Sequence, residues 1–291
     1  MFTATLIAAG ALSRGDISSA RDALVEAGAI PDAWDWLDEG DAADLSFTGD
    51  PATARRALEG RGFDVVVQPS AGRAKRLLVA DMDSTMITVE CIDELADYAG
   101  IKAEIAAVTE AAMRGELDFA EALDARVALL KDLDAAMIDR CRAERVQIMP
   151  GAVALVRTMK AHGARSVLVS GGFTVFAEPV AAEIGFDVAI ANRLGIGAGR
   201  LDGLVGRPIV DAATKLATIE AERTALGLDV AETMAVGDGA NDIPMIQAAG
   251  LGIAYRAKPK TAAAAAARID RGDLTALLWA QGYPRAVWRS E

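Results

Sequence analysis

The sequence predicts an α/β fold: a parallel sheet covered on both faces, interrupted by an all-helical insertion and preceded by a small α+β unit. Three observations predict it. Short, continuous apolar runs at 77–80, 166–169 and 233–236 alternate with helix-spaced stretches, the pattern of strands buried on both faces. Residues 91 to about 149 carry helical periodicity and no strand signal. The first 70 residues read in the order β-α-β-β-α-β.

In that first unit, Thr3–Ala9 is strand-like, and Ile17–Ala27 places Ile17, Ala20, Leu24 and Val25 on one helical face. Residues 34–37 and 45–48 flank an acidic turn, Asp38-Glu39-Gly40-Asp41. Asp50-Pro51 starts a short helix over 52–58, and 64–68 closes the unit as a strand. This is the order of a ferredoxin-like sandwich. The segment 69–75, with Pro69, Gly72 and polar residues, reads as a linker.

Beyond the linker, the three apolar runs end at Asp81, at Ser170-Gly171-Gly172 and at Gly237-Asp238-Gly239. Helices are expected at 153–161, 178–184, 212–225 and 243–249. The Ala-rich stretch 261–267 reads as a surface helix or a close helix–sheet contact, and Gly195–Gly203 as a hairpin turn. Ligands of such sheets sit beyond the carboxyl ends of the strands, where the polar endings fall. The helical insertion follows the first of these strands and so lies over the site as a lid. It places Ile92, Leu95, Ile105, Val108, Phe119, Leu123, Val127 and Leu130 at helical spacing.

The 291 residues suffice for about two domains with a sizeable core. Apolar residues make up 52% and charged residues 25%, an ordinary globular composition. The net charge of −12 argues against nucleic acid or an anionic membrane as partner, since both are polyanions. Cys91 and Cys141 stand far apart without a C-x-x-C pattern, which excludes a disulfide scaffold or zinc cluster and fits a reducing, cytoplasmic setting. No run approaches ~18 apolar residues and no basic stretch precedes the first apolar run, so neither a membrane span nor a secretory leader is expected. His162 is the single histidine, so mechanisms needing two are excluded.

Four constellations could carry chemistry. In Asp81-Met-Asp83-Ser-Thr85, residues i and i+2 of an extended strand face the same way. Two close carboxylates have their pKa values pushed apart, which suits a nucleophile and a general acid; alternatively both bind a hard divalent cation. Alone, the pair is equally a capped strand end. In Gly237-Asp238-Gly-Ala-Asn241-Asp242, three polar residues at i, i+3 and i+4 share a face if the turn is helical. The motif lacks the third glycine of a dinucleotide fingerprint, and its carboxylates would repel a pyrophosphate and attract a metal. Ser170-Gly171-Gly172 is a hydroxyl beside open amides, an anion cradle or a plain tight turn. Lys215 opens a helical run and alone would be a solvated lysine.

Together and in this order, D-x-D-x-T, S-G, K and G-D-x-x-N-D resemble the haloacid-dehalogenase-like (HAD) phosphatases over about residues 76–275. The text from Asp83 to Glu94, with Phe119 and with Arg126–Asp132, is similar to the phosphoserine phosphatase family. The resemblance implies a HAD-like Rossmannoid core (76–90 and 150–291), a helical cap (91–149) and an ACT-like N-terminal domain (1–70). It implies hydrolysis of O-phospho-L-serine, the last step of serine biosynthesis. Asp81 is then the nucleophile and Asp83 the general acid–base. Mg2+ is held by the Asp81 side chain, the Asp83 backbone carbonyl and Asp238, with Asp242 supporting. Ser170, Gly171, Lys215 and Asn241 contact phosphate, Glu90 meets the substrate ammonium, Arg126 its carboxylate, and Phe119 closes the lid. Glu90 lies nine residues after Asp81, and Phe119 and Arg126 are seven apart, two helical turns. A hydroxyl partner near Glu90, such as Thr88, is left unassigned. The N-terminal unit is open to amino-acid sensing or to a structural or homodimerising role.

Other readings stay open: a phosphatase for another small phosphomonoester, a phosphotransferase, or a receiver-like phosphoaspartate module, which would have no helical lid. His162 is expected at a helix C-terminus, where the dipole favours it, and Cys91 is expected as a small buried apolar group.

Overall fold

A computed structural model describes residues 1–290. Its first six elements are β1 (Phe2–Ile7), α1 (Arg14–Glu26), β2 (Ile30–Asp38), β3 (Ala42–Thr48), α2 (Pro51–Leu58) and β4 (Asp64–Pro69). Local chemistry starts both helices. Ser13 and Asp16 form a reciprocal capping box on α1, and Asp50 caps α2 ahead of Pro51. β1 lies between β3 and β4, antiparallel to both. The helices bury Ile17, Leu24, Ala54 and Leu58 against Leu6, Leu45 and Phe47.

β5 (Leu77–Ala80) opens the second part and is followed by four helices, α3 (Cys91–Ala99), α4 (Lys102–Met113), α5 (Phe119–Leu129) and α6 (Ala136–Arg145). The neck of this insertion is narrow: Thr88 donates its amide to the Gln147 carbonyl at 3.0 Å, and Met149 to Met86 at 2.9 Å. Then come α7 (Ala152–Ala161), β6 (Arg165–Phe173), α8 (Thr174–Ile184), β7 (Val188–Asn192) and the hairpin β8 (Leu194–Gly197) and β9 (Arg200–Val205). The chain finishes with α9 (Ala212–Ala225), β10 (Thr233–Gly237), α10 (Ile243–Ala248), β11 (Leu251–Tyr255), α11 (Pro259–Ala264), β12 (Ala267–Ile269) and α12 (Ala276–Ala280). The order β12-β11-β10-β5-β6-β7 is parallel throughout. The α/β class expected from the continuous apolar runs is the one observed.

Four details differ from the sequence reading. The sheet does not stop at the linker: β4 pairs antiparallel with β12 through Val65 and Arg268, making one ten-stranded sheet. The segment 69–75 is pinned, with the Lys75 amide donating to Gln281 Oε1 at 3.0 Å and Arg73 paired with Asp44 at 2.5 Å. Helix α8 starts at Thr174, upstream of the expected 178, and carries Pro179 inside it. The stretch 261–267 is split, because α11 ends at Ala264 and Ala267 opens β12. His162 caps the C-terminus of α7, its Nδ1 2.9 Å from the Thr158 carbonyl oxygen.

Candidate active site

Strand register assembles the site. Ala80 pairs with Val236 on one side and Leu168 on the other, so the residues after β5, β10 and the apolar part of β6 emerge side by side. All four residues of β5 are fully buried. The strand ends at Ala80, so Asp81 and Asp83 lie in the turn beyond it rather than on an extended strand as the i, i+2 argument assumed. Asp81 still donates its amide to the Val236 carbonyl at 3.0 Å. The turn is wound tightly: the Met82 carbonyl accepts from the amides of Thr85, Met86 and Ile87 at 3.2, 2.8 and 3.0 Å. Ser84 takes the left-handed φ of 55°, uncommon for a residue with a side chain.

After β10, residues Ala240–Asp242 form a single 3-10 turn. It brings the Asp242 carboxylate back to accept from the Gly239 amide at 2.9 Å. Oxygens of Asp81, Asp238 and Asp242 lie within 4.8 Å of one another, all three residues being buried. Lys215, in the first turn of α9 and wholly buried, donates to Asp81 Oδ1 and, at 2.6 Å, to Asp242 Oδ1. Asn241 is half-buried, its side chain turned against Gly239.

Burial works against the Lys215 charge, but Asp81 and Asp242 outweigh it and hold the ammonium above its ordinary value. Burial and the neighbouring Asp242 push the Asp81 carboxyl up, while Lys215 pulls it back. Asp83 is raised to about 7 by burial and then by the charge of Glu90. Asp238 is raised to about 6 by burial, Asp242 and Glu90. Asp81 and Asp242 thus share the Lys215 ammonium, while Lys258 acts on Asp238 through its charge, and the cluster keeps several acids with hard oxygen donors.

Ser170-Gly171-Gly172 differs from the expected turn after a strand. It lies within β6, where pairing with β7 slips between Val169 and Phe173, a bulge that re-aims the backbone. Ser170 is buried, and its Oγ accepts from the Gly172 amide at 2.9 Å. A Cβ on Gly171 would come 3.1 Å from the Phe119 ring, and one on Gly172 3.0 Å from Asp83 Oδ2. Phe119, the first residue of α5, therefore reaches from the helical insertion onto the bulge. Asn192 escaped the sequence reading. It is buried, donates to the Gly171 carbonyl at 2.9 Å and accepts from the Val210 amide at 2.7 Å, locking the bulge. The one available signal was weak: an Asn closing the apolar run at 188–192.

Glu90 immediately precedes α3 and is exposed. Its carboxylate accepts from Ser84 Oγ at 2.7 Å; the exposed Thr88 is not that partner. Arg126 is half-buried, its Nε donating to the Ala122 carbonyl at 3.2 Å. Burial lowers its pKa, while Asp93 and Glu90 favour its charge. Cys91 is fully buried and its thiol is held protonated by burial and by Asp83.

Comparison with known proteins agrees with this geometry. The haloacid dehalogenase-like hydrolase family matches residues 78–247, more than half of the chain. A phosphoserine phosphatase of Streptomyces coelicolor is 46% identical over 237 residues, covering 80% of this chain and 57% of that protein. The unliganded structure of a probable phosphoserine phosphatase from Vibrio cholerae superposes with a TM-score of 0.76 at 33% identity, covering 96% of this chain and 88% of that one. A structure described as a phospho-aspartyl intermediate analogue of phosphoserine phosphatase matches with a TM-score of 0.65 at 37% identity, over 70% of this chain and 98% of that one. The chain spans between 52% and 65% of the length of the first four curated relatives. Among the described residues, no helix is long and apolar enough to cross a membrane.

Proposed function

The chain belongs to the haloacid dehalogenase-like hydrolases, in the phosphoserine phosphatase branch, and from that membership we propose that it hydrolyses O-phospho-L-serine to L-serine and phosphate, closing serine biosynthesis in the cytoplasm. The observation that carries the reading is the convergence of the Asp81, Asp238 and Asp242 carboxylates, with Lys215 bonded to Asp81 and Asp242, beneath an insertion that sets Phe119 on Gly171. A receiver-like module would have no such helical insertion.

Asp81 Oδ attacks phosphorus in line, and the bond to the serine oxygen breaks. Asp83, whose carboxyl is raised to about 7, enters protonated and gives its proton to that oxygen. It then takes a proton from the water that hydrolyses the aspartyl-phosphate. Ser170, the amides of the β6 bulge and Asn241 meet the phosphoryl oxygens, and Lys215 offsets their charge. Arg126 receives the substrate carboxylate and Glu90 its ammonium, which disfavours phosphomonoesters lacking an amine. Phe119 covers the cradle and excludes water.

The donor set suits a hard divalent cation: buried carboxylate oxygens within 4.8 Å of one another, more acids than Lys215 can neutralise, and no soft ligand. Mg2+ would be held by Asp81, Asp238 and the Asp83 backbone carbonyl, with Asp242 supporting. When bound it supplies charge neutralisation to the phosphoryl group.

Phosphate release from phosphoserine, with and without Mg2+, tests the reading. Wild type is expected to turn over only with the cation, and Asp81→Asn to fold normally and lose nearly all turnover. Full activity in Asp81→Asn refutes the nucleophile. Equal rates on phosphoserine and on amine-free phosphomonoesters refute the substrate.

A further inference from the structure

Glu90 and Arg126 pose an electrostatic problem. They carry opposite charges, and Glu90 favours the Arg126 charge, yet Glu90 is bonded to Ser84 and Arg126 to the Ala122 carbonyl, and among the described residues no ion pair joins the two. A direct Glu90–Arg126 pair would neutralise both groups and leave nothing to receive a zwitterion. The Glu90 side chain is exposed and long, so its rotamers are free unless something holds them. Its position before α3 does not hold them either: the carboxylate makes no cap to the helix, and only the backbone carbonyl accepts from Asp93 and Glu94.

What holds it is Ser84, whose Oγ donates to Glu90 Oε1 at 2.7 Å. The hydroxyl is itself placed by the tight turn. The Ser84 amide donates to the Val89 carbonyl at 3.3 Å, and the next three amides all reach Met82. The residue takes a φ of 55° to do so, a conformation that is strained for a residue with a Cβ and persists where surroundings impose it. We propose that Ser84 is a positioning residue for substrate selection: its hydroxyl holds the Glu90 carboxylate away from Arg126, keeping two separated opposite charges for an amino-acid phosphomonoester. The inference rests on the reading of Glu90 as the ammonium partner. Oε2 is then left to accept from the amine, while Arg126 stays open to the carboxylate.

The test is steady-state kinetics of wild type, Ser84→Ala, Ser84→Gly and Glu90→Gln. The substrates are phosphoserine, its deaminated analogue 3-phosphonooxypropanoate, and phosphoethanolamine, which keeps the amine and lacks the carboxylate. Both Ser84 variants are expected to raise KM about tenfold for the two amines, the scale of one hydrogen bond to a charged group. The deaminated analogue should shift far less, and kcat should change less than KM. Glycine relieves the φ and removes the hydroxyl, so Ser84→Gly separates the two roles. Wild-type KM for phosphoserine in Ser84→Gly overturns the proposal, as does an equal loss on all three substrates. If Glu90→Gln abolishes the amine preference while the Ser84 variants keep it, the positioning role alone fails. If Glu90→Gln also leaves the preference intact, the underlying reading of Glu90 fails.

Discussion

Lys215 carries the charge balance of the site at the level of single residues. It is fully buried between Asp81 and Asp242, so removing it leaves carboxylates facing each other without a counter-charge. Breaking a buried ion pair on one side typically costs about 3–5 kcal/mol. Lys215→Met is expected to lower stability by that order in metal-free buffer, and millimolar Mg2+ should recover more of the loss than it adds to wild type. Thermal denaturation with and without the cation measures both; a variant as stable as wild type, or one indifferent to Mg2+, contradicts the shared-cation cluster. Of the residues the sequence singled out, Asp81 and Asp238 follow strands β5 and β10, Asp83 lies in the turn, Ser170 in the β6 bulge and Lys215 on α9. Ser84 and Asn192 stayed silent. Ser84 bonds Glu90 through a hydroxyl aimed by a turn of positive φ, and Asn192 bonds Gly171 and Val210, and neither leaves a spacing to read.

Elements explain how far the fold could be read. Periodicity identified the helices and buried strands because each depends on its own residues, and α9 runs over 212–225 as expected. The β4–β12 seam depends instead on two short segments about two hundred residues apart, one of them only three residues long. No local pattern announces such a pairing. The seam is fixed chiefly by Asp64, buried, which accepts from the amides of Asp270, Arg271 and Gly272 at 2.8–3.3 Å. Asp64→Asn removes the charge and turns one acceptor into a donor facing donors. Stability should fall by about 2–3 kcal/mol, since the amides lose a charged acceptor and stay buried. Urea denaturation measures this; an unchanged midpoint means the seam is held by strand pairing alone. The β8–β9 hairpin grips the insertion in a similar way. Asp132 and Ala135 donate amides to Leu201 and Gly199, and Leu201 donates to Leu133, all at 2.9 Å, which ties the end of α5 to the core.

Across the whole molecule, the N-terminal unit is fastened to the core by more than the sheet. Asp38 accepts from Trp279 Nε1 at 2.6 Å and from the Arg285 amide at 2.8 Å, and Gln68 donates to the Ala280 carbonyl at 2.7 Å. Lys75 stands where these parts meet. It is buried, its Nζ donating to the carbonyls of Gly72 and Ala231 at 3.2 and 2.9 Å, with no carboxylate partner among the described residues. Burial lowers its pKa to about 8. Unfolding returns it to the ordinary 10.5, so between these values the unfolded chain binds more protons than the folded one, and stability rises with pH. Below pH 8 the folded state must carry the desolvated charge and the gain is absent. Over the full window the contribution is at most about 3 kcal/mol, from 1.36 kcal/mol per pKa unit. Tyr255, raised to about 12 by burial, shifts stability at higher pH too, so the difference between wild type and Lys75→Met isolates the lysine. That difference is expected to grow in favour of wild type from pH 8 to pH 10. A flat difference would mean that the two carbonyls hold Lys75 protonated throughout, so that the junction between the units keeps a buried positive charge at every pH tested.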